Sequence, residues 1–200
     1  MIYTMSTYIR IIGVIMGKAN KTKYAILGLL SYKPQSGYDL KKMTDRSIGF
    51  FWNESYGHIY PILKRLEQQK LLAREVKTGK GRPDRNIYRI TAAGKRELRE
   101  WLPVQPIDQP KRNELLLKLF FGSQVNAKNL IPMVASKKEK SEELLKRLEE
   151  IGDSISRRPE KDAPFWGMTL NYGKYFAKAN IDWCRKTLKT LQRIGGKEAL

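Results

Sequence analysis

The chain is poor in the residues from which most active sites are built. In 200 residues it has one cysteine, Cys184, and one histidine, His58. A single cysteine excludes an internal disulfide, and the pair leaves too few soft ligands for a structural zinc. No GxxxxGK[ST], GxGxxG or HExxH pattern occurs, and a lone histidine supplies no triad. No catalytic residue, metal or cofactor is therefore expected, and the chain reads as a non-enzyme. Long apolar runs are also missing. Residues 8–16 are the most apolar stretch near the start, but Arg10 interrupts them and they fall far short of the roughly 20 residues that span a bilayer. They lack the basic start and the cleavage site of a secretory signal. A cytoplasmic protein without stable membrane insertion is expected.

Acid is scarce as well: 20 Asp and Glu face 39 Lys and Arg, a net charge of +19. Residues 17–102 carry 19 basic and 8 acidic side chains (19 − 8 = +11), and residues 103–200 carry 19 and 12 (19 − 12 = +7). A surplus of this size attracts nucleic-acid phosphates or anionic headgroups, and the attraction is salt-sensitive. With 41% apolar and 10% aromatic residues, the chain can still bury a core in one domain or two small ones. Residues 1–16 read as an N-terminal extension. Met16 opens an ordinary polar start and is a candidate first residue, with a peripheral membrane anchor as the alternative.

Residues 17–102 read as a winged helix-turn-helix. Ala25, Ile26, Leu29 and Leu30 recur at helical spacing before Pro34, so residues 22–32 form a helix with Thr22 as its expected cap. Ser36-Gly37 opens a second helix, with Tyr38, Leu40 and Met43 apolar between lysines, fading at Gly49. Phe50, Phe51 and Trp52 are expected in packing. The third helix is the clearest: Ile59, Ile62, Leu63 and Leu66 fall at i, i+3, i+4 and i+7, leaving Tyr56, Tyr60 and Lys64 off the stripe. It is expected to begin near Gly57 with Pro61 early in it, or to be bent there. The period then changes to two: residues 74–77 and 86–90 are strands, joined by a basic loop over residues 78–85. Thr91 caps a further helix. In this arrangement Ser55, Tyr56, Gly57, Tyr60 and Lys64 face the major groove, and Lys77, Lys80, Arg82 and Arg85 contact backbone or minor groove. His58, with no carboxylate partner in view, is assigned a phosphate or base contact, or plain packing.

Ser36-Gly37-Tyr38-Asp39-Leu40, Gly57-His58-Ile59-Tyr60-Pro61-Ile62-Leu63, Leu66-Glu67, Gly81-Arg82-Pro83-Asp84-Arg85 and Tyr88-Arg89-Ile90-Thr91 with Gly94 resemble, in order, the winged-helix signature of the PadR family of transcriptional regulators. The resemblance covers residues 20–102 closely. It implies that the helix from Tyr56 to Leu66 is a recognition helix and that the tip at Arg82 to Arg85 is the wing.

Residues 103–200 are expected to form an α-helical dimerisation domain. Residues 112–122 are apolar on nearly every face and are expected to be buried between layers. Val134, Ser141, Leu144, Leu148, Ile151 and Ile155 make a seam on a long helix, broken at Lys137. On the last helix Trp166, Leu170, Gly173, Phe176, Asn180, Trp183, Thr187, Leu191 and Ile194 trace one face. An intramolecular bundle would explain both rows. A homodimer is preferred because one winged helix reads few base pairs, with Leu144, Leu148, Ile151, Phe176, Trp183 and Leu191 as dimerisation residues. More loosely, this half resembles the C-terminal dimerisation region of one PadR subfamily. That resemblance allows a ligand pocket lined by Trp166, Tyr172 and Tyr175 for a small-molecule effector, although aromatic residues at this spacing more often form core. Cys184 reads as a buried small hydrophobe rather than a redox sensor. The expected fold is mainly α with a small β-hairpin wing. The expected function is a dimeric, sequence-specific repressor on a palindromic operator in double-stranded DNA. The alternative is a non-specific architectural or RNA-binding protein driven by charge.

Overall fold

A computed structural model of the chain describes residues 21–79, 82–107, 112–156 and 160–197, without the side chains of residues 79, 82, 83, 156 and 197. The N-terminal extension, Lys80 and most of the turn at residues 157–161 lie outside the described residues. The chain divides between Gln109 and Pro110 into two compact units.

In the first unit the order is α1 (Thr22–Tyr32), β1 (Gln35–Ser36), α2 (Gly37–Arg46), α3 (Tyr56–Gln68), β2 (Leu72–Gly79), β3 (Arg82–Ile90) and α4 (Ala92–Trp101). One core holds it together. Ile26, Leu27, Leu29 and Leu30 of α1 meet Leu40 of α2, Ile59, Ile62, Leu63 and Leu66 of α3, and Leu72, Tyr88 and Ile90 of the sheet. The stripe expected on α3 is the stripe that is buried.

Thr22 does not cap α1. It lies inside the first turn, and its hydroxyl donates to Glu54 Oε1, tying α1 to the loop before α3. The caps of α2 and α4 are side chains: Ser36 Oγ accepts from Asp39 N at 3.2 Å, and Thr91 Oγ1 accepts from Gly94 N at 3.1 Å. The aromatic cluster is less buried than expected: Phe50 and Trp52 are half-buried and Phe51 is exposed. α3 ends in a left-handed residue, Lys70 (φ 59°), with Lys70 N–H bonded to Glu67 O and Leu71 N–H to Leu66 O. This is the hydrogen-bonded reversal that closes many helices, and it turns the chain into β2.

The sheet has three antiparallel strands in the order β1-β3-β2. β2 pairs with β3 from Leu72↔Ile90 to Lys77↔Arg85, and an irregularity before Gly79↔Arg82 marks the tip. Pairing therefore runs well into the stretch expected to be a loop, and Arg85 is a strand residue. The hydrogen-bonded ladder holds polar side chains in strand where alternation gives no apolar signal. β1, at Gln35↔Tyr88 and Ser36↔Ile87, is too short to show a period.

The second unit contains α5 (Glu114–Phe120), two short 3-10 turns (Gly122–Gln124 and Ala127–Asn129), α6 (Ile131–Ser156) and α7 (Ala163–Lys197). α6 and α7 pack on each other. Ala127, Leu130, Val134, Cys184 and Leu191 form a core against which Leu115, Leu119, Trp183 and Leu188 are partly buried. α5 departs from expectation: none of its side chains is fully buried. Leu115 and Leu119, four apart, face the core. Leu116, Leu117, Phe120 and Phe121 point outward, and Phe120 is 82% exposed. A seven-residue helix on the outside of a helical pair covers one stripe only.

The buried row of α7 is the expected row only in part. Leu170, Gly173, Ala177, Ile181, Cys184 and Leu191 are buried, while Phe176 and Ile194 are exposed. Leu170, Gly173 and Leu191 belong to both rows, and between Gly173 and Leu191 the buried seam runs one residue later than expected. The seam takes two consecutive steps of four from Gly173, to Ala177 and Ile181, where the expected row steps three to Phe176. Among the described residues no helix is long and apolar enough to cross a membrane.

Candidate nucleic-acid interface

The face of α3 opposite its core stripe is open. Ser55, Tyr56, Gly57, His58, Tyr60 and Lys64 are all exposed, while Leu63 and Leu66 between them are completely buried. The stripe at i, i+3, i+4, i+7 fixes the rotation of the helix, so burial of one side dictates which residues are offered on the other.

α2 adds to this face. Tyr38, Tyr56 and Tyr60 stand in a row, with ring centroids 6.3 Å and then 6.5 Å apart and interplanar angles of 14° and 21°. Each is more than 40% exposed. Lys42 Nζ lies 4.5 Å from the Tyr38 ring and Lys41 Nζ 5.9 Å from the Tyr56 ring. Lys41 also pairs with Asp45. Three exposed phenols flanked by ammonium groups can donate to phosphate oxygens and lie against base edges. α2 and α3 can approach closely because the first residue of α2 is Gly37, where a Cβ would come within 2.7 Å of the Tyr60 ring. Tyr38, Lys41 and Lys42 were not expected as part of the interface. Of the three apolar positions of α2, Leu40 and Met43 join Thr44 on the inward face, and Tyr38 lies on the outer one.

His58 has a carboxylate partner after all. Glu54, one turn earlier, holds Oε2 3.2 Å from His58 Nδ1, while its other oxygen accepts from Thr22. The ring itself is exposed. With Lys41, Asn53, Glu54, Ser55 and Tyr56 it lines an open depression of about 490 Å³ at the start of α3.

On the wing, Lys77 is exposed and sits opposite Arg85. Arg85 reaches back to α2: Nη2 donates to Asp39 Oδ2 at 3.0 Å and to Ser36 Oγ at 3.3 Å. Ser36 Oγ in turn donates to Asp39 Oδ2 at 2.7 Å. The Ser36 hydroxyl holds the Asp39 carboxyl below the usual carboxylate range; burial opposes it, and the Arg85 charge adds a smaller effect in the same direction as the hydroxyl. Arg82 begins β3, and its side chain is outside the described set. A second clamp joins α1 to α4, where Tyr24 stacks on Trp101 at 4.2 Å and Lys23 pairs with Glu97 at 2.6 Å.

In the second unit, Leu148 and Leu191 are buried within the chain itself, Leu144, Ile151 and Trp183 are half-buried, and Phe176 is exposed. Tyr172 and Tyr175 stand on the outer surface of α7, Tyr172 stacking on Phe176 at 6.4 Å, and Trp166 is half-buried. Cys184 is fully buried, and burial pushes its thiol upward.

Comparison with known proteins agrees with this geometry. Residues 26–100 match the Transcriptional regulator PadR-like family, and residues 111–192 match the Virulence activator alpha C-term family. The negative transcriptional regulator PadR of Bacillus subtilis is 31% identical over 180 residues, covering 86% of this chain and 97% of the relative. The structure of Bacillus subtilis PadR in complex with operator DNA is similar with a TM-score of 0.74 and 26% identity, covering 86% of this chain and 98% of that one. The complex of the same protein with p-coumaric acid gives a TM-score of 0.66 and 26% identity, over 85% and 98% of the two chains. A relative matched almost end to end, together with a winged helix at the matching position, places this chain in a family of regulators and not of enzymes: it belongs to the PadR-like family of transcriptional regulators.

Proposed function

We propose that the protein is a sequence-specific DNA-binding repressor that acts as a homodimer on a palindromic operator. The observation that carries this reading is the exposed face of α3, where Tyr56, Tyr60 and Lys64 join Tyr38, Lys41 and Lys42 above a helix whose other side is locked in the core. Ser55, Tyr56, Gly57, His58, Tyr60 and Lys64 enter the major groove, and Lys77, Lys80 and Arg82 lie along the flanking backbone. The net charge of +19 supplies the sequence-independent attraction, and the α3 side chains supply the choice of site.

The second unit brings two winged helices together. Phe165, Met168, Tyr172, Tyr175 and Phe176 on α7, and Leu116, Leu117, Phe120 and Phe121 on and beside α5, are all exposed in the single chain. Exposed apolar surface on this scale marks an association face, and a two-fold pair presents two half-sites. A small phenolic acid is the first effector class to test, because a relative of this fold has been solved with p-coumaric acid.

A gel-shift titration against the protein's own upstream promoter, with random duplex as competitor at physiological salt, tests the reading. A discrete complex that resists competitor is expected. Smearing removed equally by either DNA would replace it with charge-driven, non-specific binding.

A further inference from the structure

The sole imidazole of the chain stands at the start of the proposed reading helix with one nitrogen already committed. His58 Nδ1 lies 3.2 Å from Glu54 Oε2. A carboxylate oxygen only accepts, so this contact places the ring proton on Nδ1. Glu54 is not free to swing away: its side chain is largely covered, and its other oxygen accepts from the Thr22 hydroxyl at the start of α1. The remaining nitrogen, Nε2, belongs to a side chain that is 71% exposed, and in the neutral ring it carries a lone pair and no proton.

We infer that His58 is a specificity-determining residue that reads a hydrogen-bond donor on a base edge, adenine N6 or cytosine N4, through an Nε2 acceptor whose tautomer is set by Glu54. Phosphate oxygens are acceptors and have nothing to give this nitrogen. In the major groove the donors are the amino groups of adenine and cytosine, whereas guanine and thymine offer acceptors at the corresponding positions. Thr22, Glu54 and His58 thus form one relay that carries the position of α1 through to the polarity of a reading atom on α3. This inference rests on the proposal that α3 reads DNA, and its test separates the two.

Because the chain has one histidine, the nitrogen spectrum of uniformly ¹⁵N-labelled full-length protein contains a single imidazole. At alkaline pH, long-range proton–nitrogen correlation is expected to show Nδ1 protonated and Nε2 bare, both free and with promoter DNA. An Nε2-protonated ring, or a doubly protonated one in the complex, overturns the inference whether or not the protein selects an operator. The second arm is a base-by-base competition scan of the promoter site. His58→Ala is expected to flatten the preference for adenine or cytosine at one position per half-site, by about three- to tenfold, leaving other positions unchanged. His58→Gln, whose amide oxygen can accept, is expected to restore it. Thermal melts of each variant check that the fold is kept. If the wild type prefers its promoter and His58→Ala leaves every position unchanged, the reading role is wrong and the repressor proposal stands. If the wild type shows no preference over random duplex, the repressor proposal falls, and the tautomer is still decided by the spectrum.

Discussion

At the scale of single residues, two positions at the join between α3, the sheet and α4 constrain the first unit most tightly. Gly94 is one. A Cβ there would stand 2.3 Å from Leu71 O and 2.8 Å from Ile90 Cγ1. That carbonyl is already in use, accepting from Thr91 N at 3.0 Å and from Thr91 Oγ1 at 3.1 Å. A methyl group would have to push α4 away from the strand junction and disturb the cap that starts it. Gly94→Ala is expected to cost about 1–3 kcal/mol, read as a lower urea midpoint at unchanged slope. Lys70 is the opposite case. It holds φ 59° at the end of α3 and is exposed, so its side chain gives little in return for a conformation that suits glycine. Lys70→Gly is expected to raise stability by about 0.5–1 kcal/mol in the same urea titration. A loss there would mean that the Lys70 side chain has a compensating role.

At the scale of elements, polar clamps set the spacing of the parts. Asp39 and Ser36 cap α2 and receive Arg85 from β3, while Glu97 of α4 holds Lys23 of α1. Both carboxyls are held below their usual range, Asp39 chiefly by the Ser36 hydroxyl and Glu97 chiefly by its hydrogen bond from Lys23. A depressed folded-state pKa stabilises the fold above the unfolded value, about 4 for these groups, and that contribution is lost as pH falls through the lower folded value. Urea midpoints are therefore expected to fall on acidification below about pH 4, and Asp39→Asn should flatten part of that fall. Asp39→Asn should also release Arg85 from the α2 cap. If Arg85 then reaches phosphate, the salt slope of promoter binding steepens by about one charge's worth; an unchanged slope would mean that Arg85 stays on the wing.

The same elements indicate what the sequence made legible. The α3 stripe, the caps at Ser36 and Thr91 and the strand cores all have a local signal, either a period or a residue type at a fixed offset. The Arg85–Asp39 contact spans 46 residues, and β1 is two residues long, so neither leaves a local trace. The Glu54–His58 contact is different: its spacing of four was available in the sequence. Glu54 precedes the first residue of α3, so the pair lies across the start of the helix and not within its periodic stretch.

At the scale of the whole molecule, the proposed function needs two chains to associate, and here the sequence located the right helices but, along the middle of α7, a row one residue off. From Gly173 the expected row steps three residues to Phe176, whereas the buried seam steps four to Ala177 and four to Ile181, so it runs one residue later, through Cys184, until both rows meet again at Leu191. On the opposite side of the same helix Phe165, Met168, Tyr172 and Phe176 recur at steps of three, four and four. The first half of α7 thus has two apolar faces, and α6 covers one. Gly173 and Ala177 are the small buried residues of the seam, while the aromatic residues lie on the face left open. If that face and α5 pair two chains, a charge placed there should separate them without unfolding either. Tyr172→Glu and Phe120→Glu lie outside the buried core of the second unit, so each chain is expected to keep its thermal midpoint within a few degrees. Sedimentation velocity should shift from dimer toward monomer. Promoter affinity should fall steeply while binding to a single half-site persists, since the reading face of α3 is intact. A dimer that survives both substitutions would move the interface to other surfaces of the chain. A monomer that still bound the full site with unchanged affinity would remove the need for pairing altogether.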